Sequence, residues 1–437
     1  MGYTYTLSEL AIQIGAATSE EAGALLAATS IGEPRLSAEE LAKVALMSIS
    51  GSNFERIEML VDAGADVSAL MPGGESLGLA VLIEPKAPES LQAKIIERIN
   101  PSSIPSGPSG ETLLMAAASL GRADFAGRLL RAGHNPKAKL AGESKPLGAR
   151  RGSTALMIAA KTPGKSQDLL NLLIPVSDLS ARDVSCNTAL GWACDHGNAA
   201  AIQALMPGSD IRARDDQQKT LLIKAVTSGS LEAVRLILPR AKARARNDRR
   251  QSALMIAARA GSWAMVEELL PKSALAAVDE KGHTALMHAI VSPLAPKDED
   301  VALKLLPMSP LTAGVGDIFT KKNLLMLAAE VGKARIVQEL LAHFDPLAVD
   351  IFGETALMRA ASGRRDLGFE ALKVLLPLSN EEALSNDGYS ATWFAERSAS
   401  PKCLALIKAS ALAKKEAHIF SEAAGEASAP SRKKPSL

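Results

Sequence analysis

Residues 251–271 read QSALMIAARAGSWAMVEELLP, and close copies of this stretch recur along most of the chain. Each copy contains a short apolar run, a Gly, a second apolar run and, in most copies, a Pro. Apolar residues at helical spacing predict two helices; the Gly ends the first and the Pro stops the second. The sequence is therefore built on a repeated helix-turn-helix unit.

The copies align on the Ser- or Thr-like residue that opens the first apolar run. Thr188, Thr220, Ser252 and Thr284 are 32 residues apart. The other seven copies, separated by local insertions, begin at Lys43, Ser76, Thr112, Thr154, Asn323, Thr355 and Ser390. A period of this length is typical of a solenoid, in which each unit packs only on its neighbours.

The segments between units carry turn-forming residues at fixed places. An Asp or Asn stands five residues before the opening residue at Asp183, Asp215, Asn247, Asp279 and Asp350. Six units have a Gly two residues before the opening residue. Asx side chains and a Gly at fixed offsets predict tight, hairpin-like loops.

This order of helix, turn, helix and projecting loop resembles the ankyrin repeat family. Thr-Ala-Leu-Met-x-Ala-Ala stands where the family has Thr-Pro-Leu-His-x-Ala, and residues 58–67 are similar to the end of its second helix and its loop. The resemblance covers residues 37–407. It implies an all-α, ankyrin-like helix-turn-helix solenoid with projecting hairpin-like loops, acting as a protein–protein interaction scaffold or adaptor. Partners would dock on the concave face and loop tips.

The chain departs from the family at the His position, which Met occupies in six units: Met115, Met157, Met255, Met287, Met326 and Met358. The family's His makes a side-chain hydrogen bond near the loop base, which Met cannot make. The resemblance therefore implies that packing of the methionines replaces this bond.

We expect three regions along the chain. Residues 1–36 form an N-terminal helical cap, residues 37–408 form a solenoid of about eleven units, and residues 409–437 form a short helix and a disordered tail. Capping-box patterns at 18–21 and 37–40 predict helix starts. A segment at 292–300 is inserted between the two helices of its unit.

Composition excludes several classes of protein. Hydrophobic residues make up 47% of the chain but aromatic residues only 3%, which suits thin, closely packed helices. The net charge of +1 argues against a globally nucleic-acid-binding protein. Three cysteines without zinc spacing favour a reducing, cytoplasmic location. No apolar run approaches the length of a membrane span. Secretion without a signal peptide stays open.

The sequence contains no recognisable catalytic, cofactor-binding or metal-binding constellation, so we expect no enzyme activity and no cofactor. Cys194 takes the second Ala position of its unit, where a small buried residue is required, and is interpreted as structural. His283 and His288 are spaced too poorly for a shared metal on one helix. A secreted bacterial effector and an enzyme with an unrecognised site are the less favoured alternatives.

The strongest local signal is a basic ridge that ends just before the quoted stretch. Between Pro239 and Gln251, six cations oppose only Asp248, for a net charge of +5. Alternation with Ala predicts an extended segment with its charges on one side. The ridge consists of Arg212, Arg214, Arg240, Lys242, Arg244, Arg246, Arg249 and Arg250.

The ridge predicts a partner protein with an acidic patch. Nucleic acid or anionic lipid is a less favoured partner, because no aromatic residue stands in the ridge to stack on bases. A ridge that only aids solubility is the other alternative.

A second candidate set lies four residues after the opening residue, where most units are apolar. The exceptions are Trp192, Lys224, His288 and Arg359. We predict that they contact a partner on the concave face, with simple edge exposure as the alternative. The oligomeric state is not predicted.

Overall fold

The structure is a computed structural model that describes residues 37–49, 53–70, 74, 76–162, 164, 167–292, 299–311, 317–363 and 366–427. These residues contain 22 α-helices and no β-strand, which confirms the predicted all-α repeat fold. The expected cap at 1–36, residues 293–298 of the insertion and residues 428–437 of the expected tail lie outside the described residues.

The chain divides into two compact units, Met1–Ala241 and Lys242–Leu437. The helices of the first unit are α1 (Ala38–Ile49), α2 (Phe54–Asp62), α3 (Leu77–Ile83), α4 (Glu89–Arg98), α5 (Leu113–Leu120), α6 (Ala123–Arg131), α7 (Ala155–Lys161), α8 (Gln167–Leu173), α9 (Ala189–Asp195), α10 (Ala199–Leu205), α11 (Leu221–Thr227) and α12 (Leu231–Ile237). Odd-numbered helices are the first, and even-numbered helices the second, of each repeat.

The helices of the second unit are α13 (Ala253–Arg259), α14 (Trp263–Leu269), α15 (Ala285–Ile290), α16 (Glu299–Leu305), α17 (Leu324–Val331), α18 (Ala334–Leu340), α19 (Ala356–Ala361), α20 (Phe369–Leu375), α21 (Ala391–Arg397) and α22 (Pro401–Ala427). The expected boundary between solenoid and tail, at 408, falls inside α22.

The residue on which the repeats align is a helix N-cap. In ten repeats, from Ser76 to Ser390, its side-chain oxygen accepts a hydrogen bond from the backbone N–H three residues later. This bond pairs a donor that a helix start leaves open. Asn323 belongs to the series because its amide oxygen acts in the same way.

The first alignment point, Lys43, lies inside α1 and is not a cap. The residue before α1 is Ser37, whose hydroxyl oxygen accepts from the Glu40 backbone N–H while the Glu40 carboxylate accepts from the Ser37 N–H. The capping box predicted at 37–40 is therefore confirmed, and the first repeat departs from the register of the others.

Gly and Pro end the helices as predicted. Gly121 and Gly332 adopt left-handed C-cap conformations after α5 and α17, with φ of 69° and 78°. Second helices such as α8 and α14 end two residues before the Pro, and one 3-10 turn then carries it, as in Ile174–Val176 and Leu270–Lys272. The first residues of a helical turn accept Pro, because their N–H groups have no partner within the turn.

Each unit buries the apolar face of its repeats between neighbouring helices. First helices pack on first helices, as α7 does on α5 and α9, and α19 does on α17 and α21. The six methionines of the repeat phrase and most of its alanines are buried there. Small Ala side chains let the helices approach closely, and the methionines fill the remaining space.

The projecting loops are joined to one another within each unit. In the second unit, backbone N–H groups of Glu280, Ile318, Ile351 and Asn386 donate to a carbonyl of the preceding loop at 2.9–3.2 Å. In the first unit, Asp216 N–H donates to Ser185 C=O at 3.0 Å. Isolated β-bridges, such as Arg246 to Ser252, close individual loops as the sequence predicted for hairpin-like segments.

Candidate partner-binding site

Four repeats share a polar contact at the base of the loop, which we call the loop-base lock. Its acceptor is the Asp five residues before the N-cap, and its donor is the side chain four residues after the N-cap. The pairs are Asp183 with Trp192, Asp215 with Lys224, Asp279 with His288, and Asp350 with Arg359.

One carboxylate oxygen of each Asp organises the loop. Asp215 Oδ1 accepts hydrogen bonds from the backbone N–H groups of Gln217 at 3.0 Å and Lys219 at 2.8 Å. The other three Asp residues repeat this pattern. An Asx side chain that pairs nearby backbone donors fixes a tight turn, so the loop has a defined shape before any partner binds.

The other carboxylate oxygen, Oδ2, accepts from the helix. Trp192 Nε1, Lys224 Nζ and His288 Nε2 lie 2.8–2.9 Å from it in their repeats. The Arg359 guanidinium donates through two nitrogens. Four different donor groups thus perform the same task of holding the loop against its helix.

Lys224 is the most deeply buried of the charged donors. Its side chain is 2% exposed, and its ammonium lies 2.8 Å from Asp215 Oδ2 and 2.9 Å from Asp195 Oδ2. A buried charge is tolerated only with such pairing. In the repeat of His288, burial lowers the pKa of the imidazole although Asp279 opposes the shift, so a neutral ring holds the loop.

These contacts change the role assigned to one predicted set of site residues. Trp192, Lys224 and His288 are buried and Arg359 is half-buried, and each pairs with its own loop. This burial and pairing argue against the predicted partner contact. In the two locked repeats that carry Met at the family's His position, Met287 and Met358, the lock supplies a loop-base bond that the exchange was expected to remove. The other four Met units have no lock.

Sequence reasoning missed this lock, although the repeats contain a signal for it. Where the Asp is present, position four after the N-cap is a hydrogen-bond donor; where it is absent, that position is apolar. The six pairs without a lock are Met71 and Ala80, Gly107 and Ala116, Ala149 and Ile158, Asn247 and Ile256, Ile318 and Leu327, and Ser385 and Phe394. Comparison of the repeats with one another would have linked the two positions.

The predicted basic ridge divides into exposed and bracing residues. In the first unit, Arg212 and Arg240 are exposed, whereas half-buried Arg214 donates to Gln218 C=O at 2.9 Å. In the second unit, Lys242, Arg244, Arg249 and Arg250 are exposed, whereas half-buried Arg246 donates to Val278 C=O of the next loop at 3.1 Å. Arg214 and Arg246 therefore have structural contacts.

The extended conformation predicted for the basic segment is not found. Ala245 N–H donates to Lys242 C=O at 2.9 Å, which closes a turn, and Ala243 is buried. The buried Ala243 side chain packs beneath the loop, and the turn that begins at Lys242 places it there. Lys242, Arg244, Arg249 and Arg250 remain exposed, and we call them the basic cluster.

The chemical groups singled out in the sequence have ordinary environments. Cys194 is fully buried, as expected of its repeat position, and burial raises the pKa of its thiol. His283 Nε2 lies 3.2 Å from Asp317 Oδ2 in the next loop. Among the described residues, no group of His, Cys, Asp and Glu could hold a metal ion. No helix in that part of the chain is both long and apolar enough to cross a membrane.

N-capped helix pairs with projecting loops, four of them locked at the base, define a helical repeat protein. The family model of ankyrin repeats matches the chain three times, at residues 156–247, 237–315 and 320–417. These matches cover more than half of the chain, which belongs to the ankyrin repeat family. A search of curated proteins found no match. N-caps at Ser76, Thr112 and Thr154 continue the repeat pattern before the first match.

Proposed function

We propose that the protein binds a partner protein through its loops, and that the basic cluster recognises an acidic patch on that partner. Ankyrin repeats generally mediate protein–protein interaction, which supports the class of partner. The observation that carries the acidic chemistry is the exposure of Lys242, Arg244, Arg249 and Arg250 on two successive turns of one loop. Four cations this close together attract a negatively charged surface.

The construction of the loops supports binding by a preformed surface. Each loop of the second unit is hydrogen-bonded to the next, and the Asp279 and Asp350 loops are locked to their helices. Loops that are already ordered lose little conformational entropy on docking, which favours affinity. Neither contact requires the partner, so the surface exists in the free protein.

Nucleic acid and anionic lipid are the alternative partners of the basic cluster. The basic segment has no aromatic side chain on which a base could stack, which favours an acidic protein over nucleic acid. The general role of ankyrin repeats in protein–protein interaction favours a protein over a lipid.

We further propose a reducing, cytoplasmic location and a solenoid over residues 37–408 preceded by a helical cap. All three cysteines are unpaired, and Cys186 is exposed, which an oxidising compartment would not preserve. The ten N-caps from Ser76 to Ser390 support the extent of the solenoid.

Affinity capture tests the proposed function. The wild type is compared with R244E/R249E, and with K402E/K415E as a control that reverses two exposed lysines on α22. We expect the control to retain the wild-type partners and R244E/R249E to lose them. Retention of all partners by R244E/R249E would contradict an acidic protein partner.

The nucleic-acid and lipid alternatives are tested on purified protein with labelled RNA, duplex DNA and phosphatidylserine vesicles. If the alternative held, binding would weaken with salt, with a log–log slope of about −0.9 for each DNA phosphate neutralised. We expect no such binding, and loss of captured partners after nuclease treatment would also contradict the proposal.

A further inference from the structure

The tips of the loops change chemistry along the second unit. We define a tip pair as the two residues directly after the residue at the base of the loop. That residue is Asn247, Asp279, Asp350 or Ser385, five residues before the N-cap, or Asp317, six residues before Asn323, whose carboxylate accepts from the Phe319 and Thr320 N–H groups. In chain order the tip pairs are Asp248–Arg249, Glu280–Lys281, Ile318–Phe319, Ile351–Phe352 and Asn386–Asp387. Two neighbouring tips thus repeat an Ile-Phe pair where the others are charged or polar.

Both Ile-Phe pairs are exposed. Ile318 and Phe319 are 58% and 65% exposed, and Ile351 and Phe352 are 43% and 44% exposed. These exposures leave much of each side chain outside the protein core. Turn positions normally carry polar residues, and a contiguous exposed apolar patch marks an interaction site.

The patch is held in place. Ile351 N–H donates to Thr320 C=O at 3.1 Å, which joins the two tips. The Arg359 guanidinium, which locks the base of the second tip's loop, lies 5.9 Å from the centre of the Phe352 ring. A cation over an aromatic face fixes the ring, so the patch has a defined shape.

Charge distinguishes the two sides of the patch. On one side the tips and the basic cluster provide five exposed cations against two exposed acids: Lys242, Arg244, Arg249, Arg250 and Lys281 against Asp248 and Glu280. On the other side lies Asp387. The joined tips form a single row through the hydrogen bonds from Glu280 to Arg249 and from Ile318 to Lys281. One segment that crosses the row would meet cations first and apolar side chains next.

We infer that this row binds one extended segment of a partner protein, in which a run of acidic residues adjoins a run of apolar residues. This inference rests on the proposed function and specifies its partner. The acidic run pairs with Arg249, Arg250 and Lys281, while the apolar run covers the Ile-Phe tips. An anionic membrane would be attracted by the same cations, so the vesicle measurement separates a membrane from a protein segment.

Peptide phage display against the full chain tests the inference, since the probe is then a random peptide library. We expect enriched peptides to contain adjoining acidic and apolar runs. Their affinities are measured by fluorescence anisotropy for the wild type, F319D/F352D and R249E/R250E. The control is M308D/L378D, which changes two comparably exposed apolar residues in the 3-10 turns after α16 and α20.

We expect F319D/F352D and R249E/R250E each to weaken peptide binding at least about tenfold, and the control to bind like the wild type. Far-ultraviolet circular dichroism checks that the variants fold. Enriched peptides without an apolar run, or equal binding by F319D/F352D and the wild type, would overturn the inference but leave the proposed acidic partner intact. Binding of the protein to phosphatidylserine vesicles that F319D/F352D abolishes would overturn both.

Discussion

The loop-base lock between Asp215 and Lys224 can be tested by substitution, because the next repeat has uncharged residues at the same two positions. Removal of Lys224 by K224I leaves the Asp215 Oδ2 atom buried without its nearest cation. Loss of one partner of a buried ion pair destabilises by about 3–5 kcal/mol. We expect K224I near the lower end of this range, since Asp195, the second carboxylate, is partly exposed.

The next repeat has an Asn and an Ile at these two positions, Asn247 and Ile256, and the Asn amide donates to the Gln251 side chain at 3.3 Å. The triple variant D215N/K219Q/K224I copies that arrangement. Because it leaves no buried charge unpaired, we expect stability within about 1 kcal/mol of the wild type. The loss of stability in K224I would then exceed that in the triple variant by at least about 2 kcal/mol, which is the coupling free energy among the three positions.

Hydrogen exchange measured by mass spectrometry over residues 210–227 is the suitable assay, since repeat arrays open locally and a single global unfolding energy is poorly defined. K219Q alone serves as the control and should exchange like the wild type. The reasoning would be refuted if K224I cost less than about 1 kcal/mol, or if the triple variant exchanged as fast as K224I.

Three further predictions concern single groups. Burial lowers the pKa of His288, so the unfolded chain binds a proton more readily than the folded one. The free energy of unfolding therefore decreases as the pH falls below the ordinary pKa of 6.5. Unfolding measured from pH ~7 to ~5 should show a weaker dependence on pH for H288Q than for the wild type. In the native protein, Ellman's reagent should react rapidly with one thiol, that of Cys186, because it is exposed and the other two thiols are buried. Rapid reaction of all three thiols would contradict the fold. A Cβ on Gly332 would lie 1.9 Å from the Leu367 carbonyl oxygen, whereas one on Gly388 meets no atom within 4 Å. Thermal unfolding should therefore show a larger loss for G332A than for G388A, whose strained positive φ alone costs about 1–2 kcal/mol.

The repeat, its helix ends and its core could be predicted from the sequence. The N-caps, Gly332 and Pro271 act on the backbone within a few residues of themselves, so their effect is written locally in the chain. Burial of the methionines follows from helical periodicity, which is also a local property. For the same reason the all-α fold and the hairpin-like loops agree with the sequence prediction.

The roles of the polar residues were decided only by the tertiary structure. Lys224 and His288 look like surface groups in the sequence, yet each meets an Asp nine residues earlier because the loop folds back onto its helix. Arg246 looks like part of a free ridge, yet it donates to a carbonyl 32 residues later in the next loop. Burial and pairing depend on neighbours brought together by packing, whereas helix starts and stops depend on the chain itself. The sequence therefore determined the scaffold, and the packing of loops on helices decided which charges and apolar tips are left for a partner.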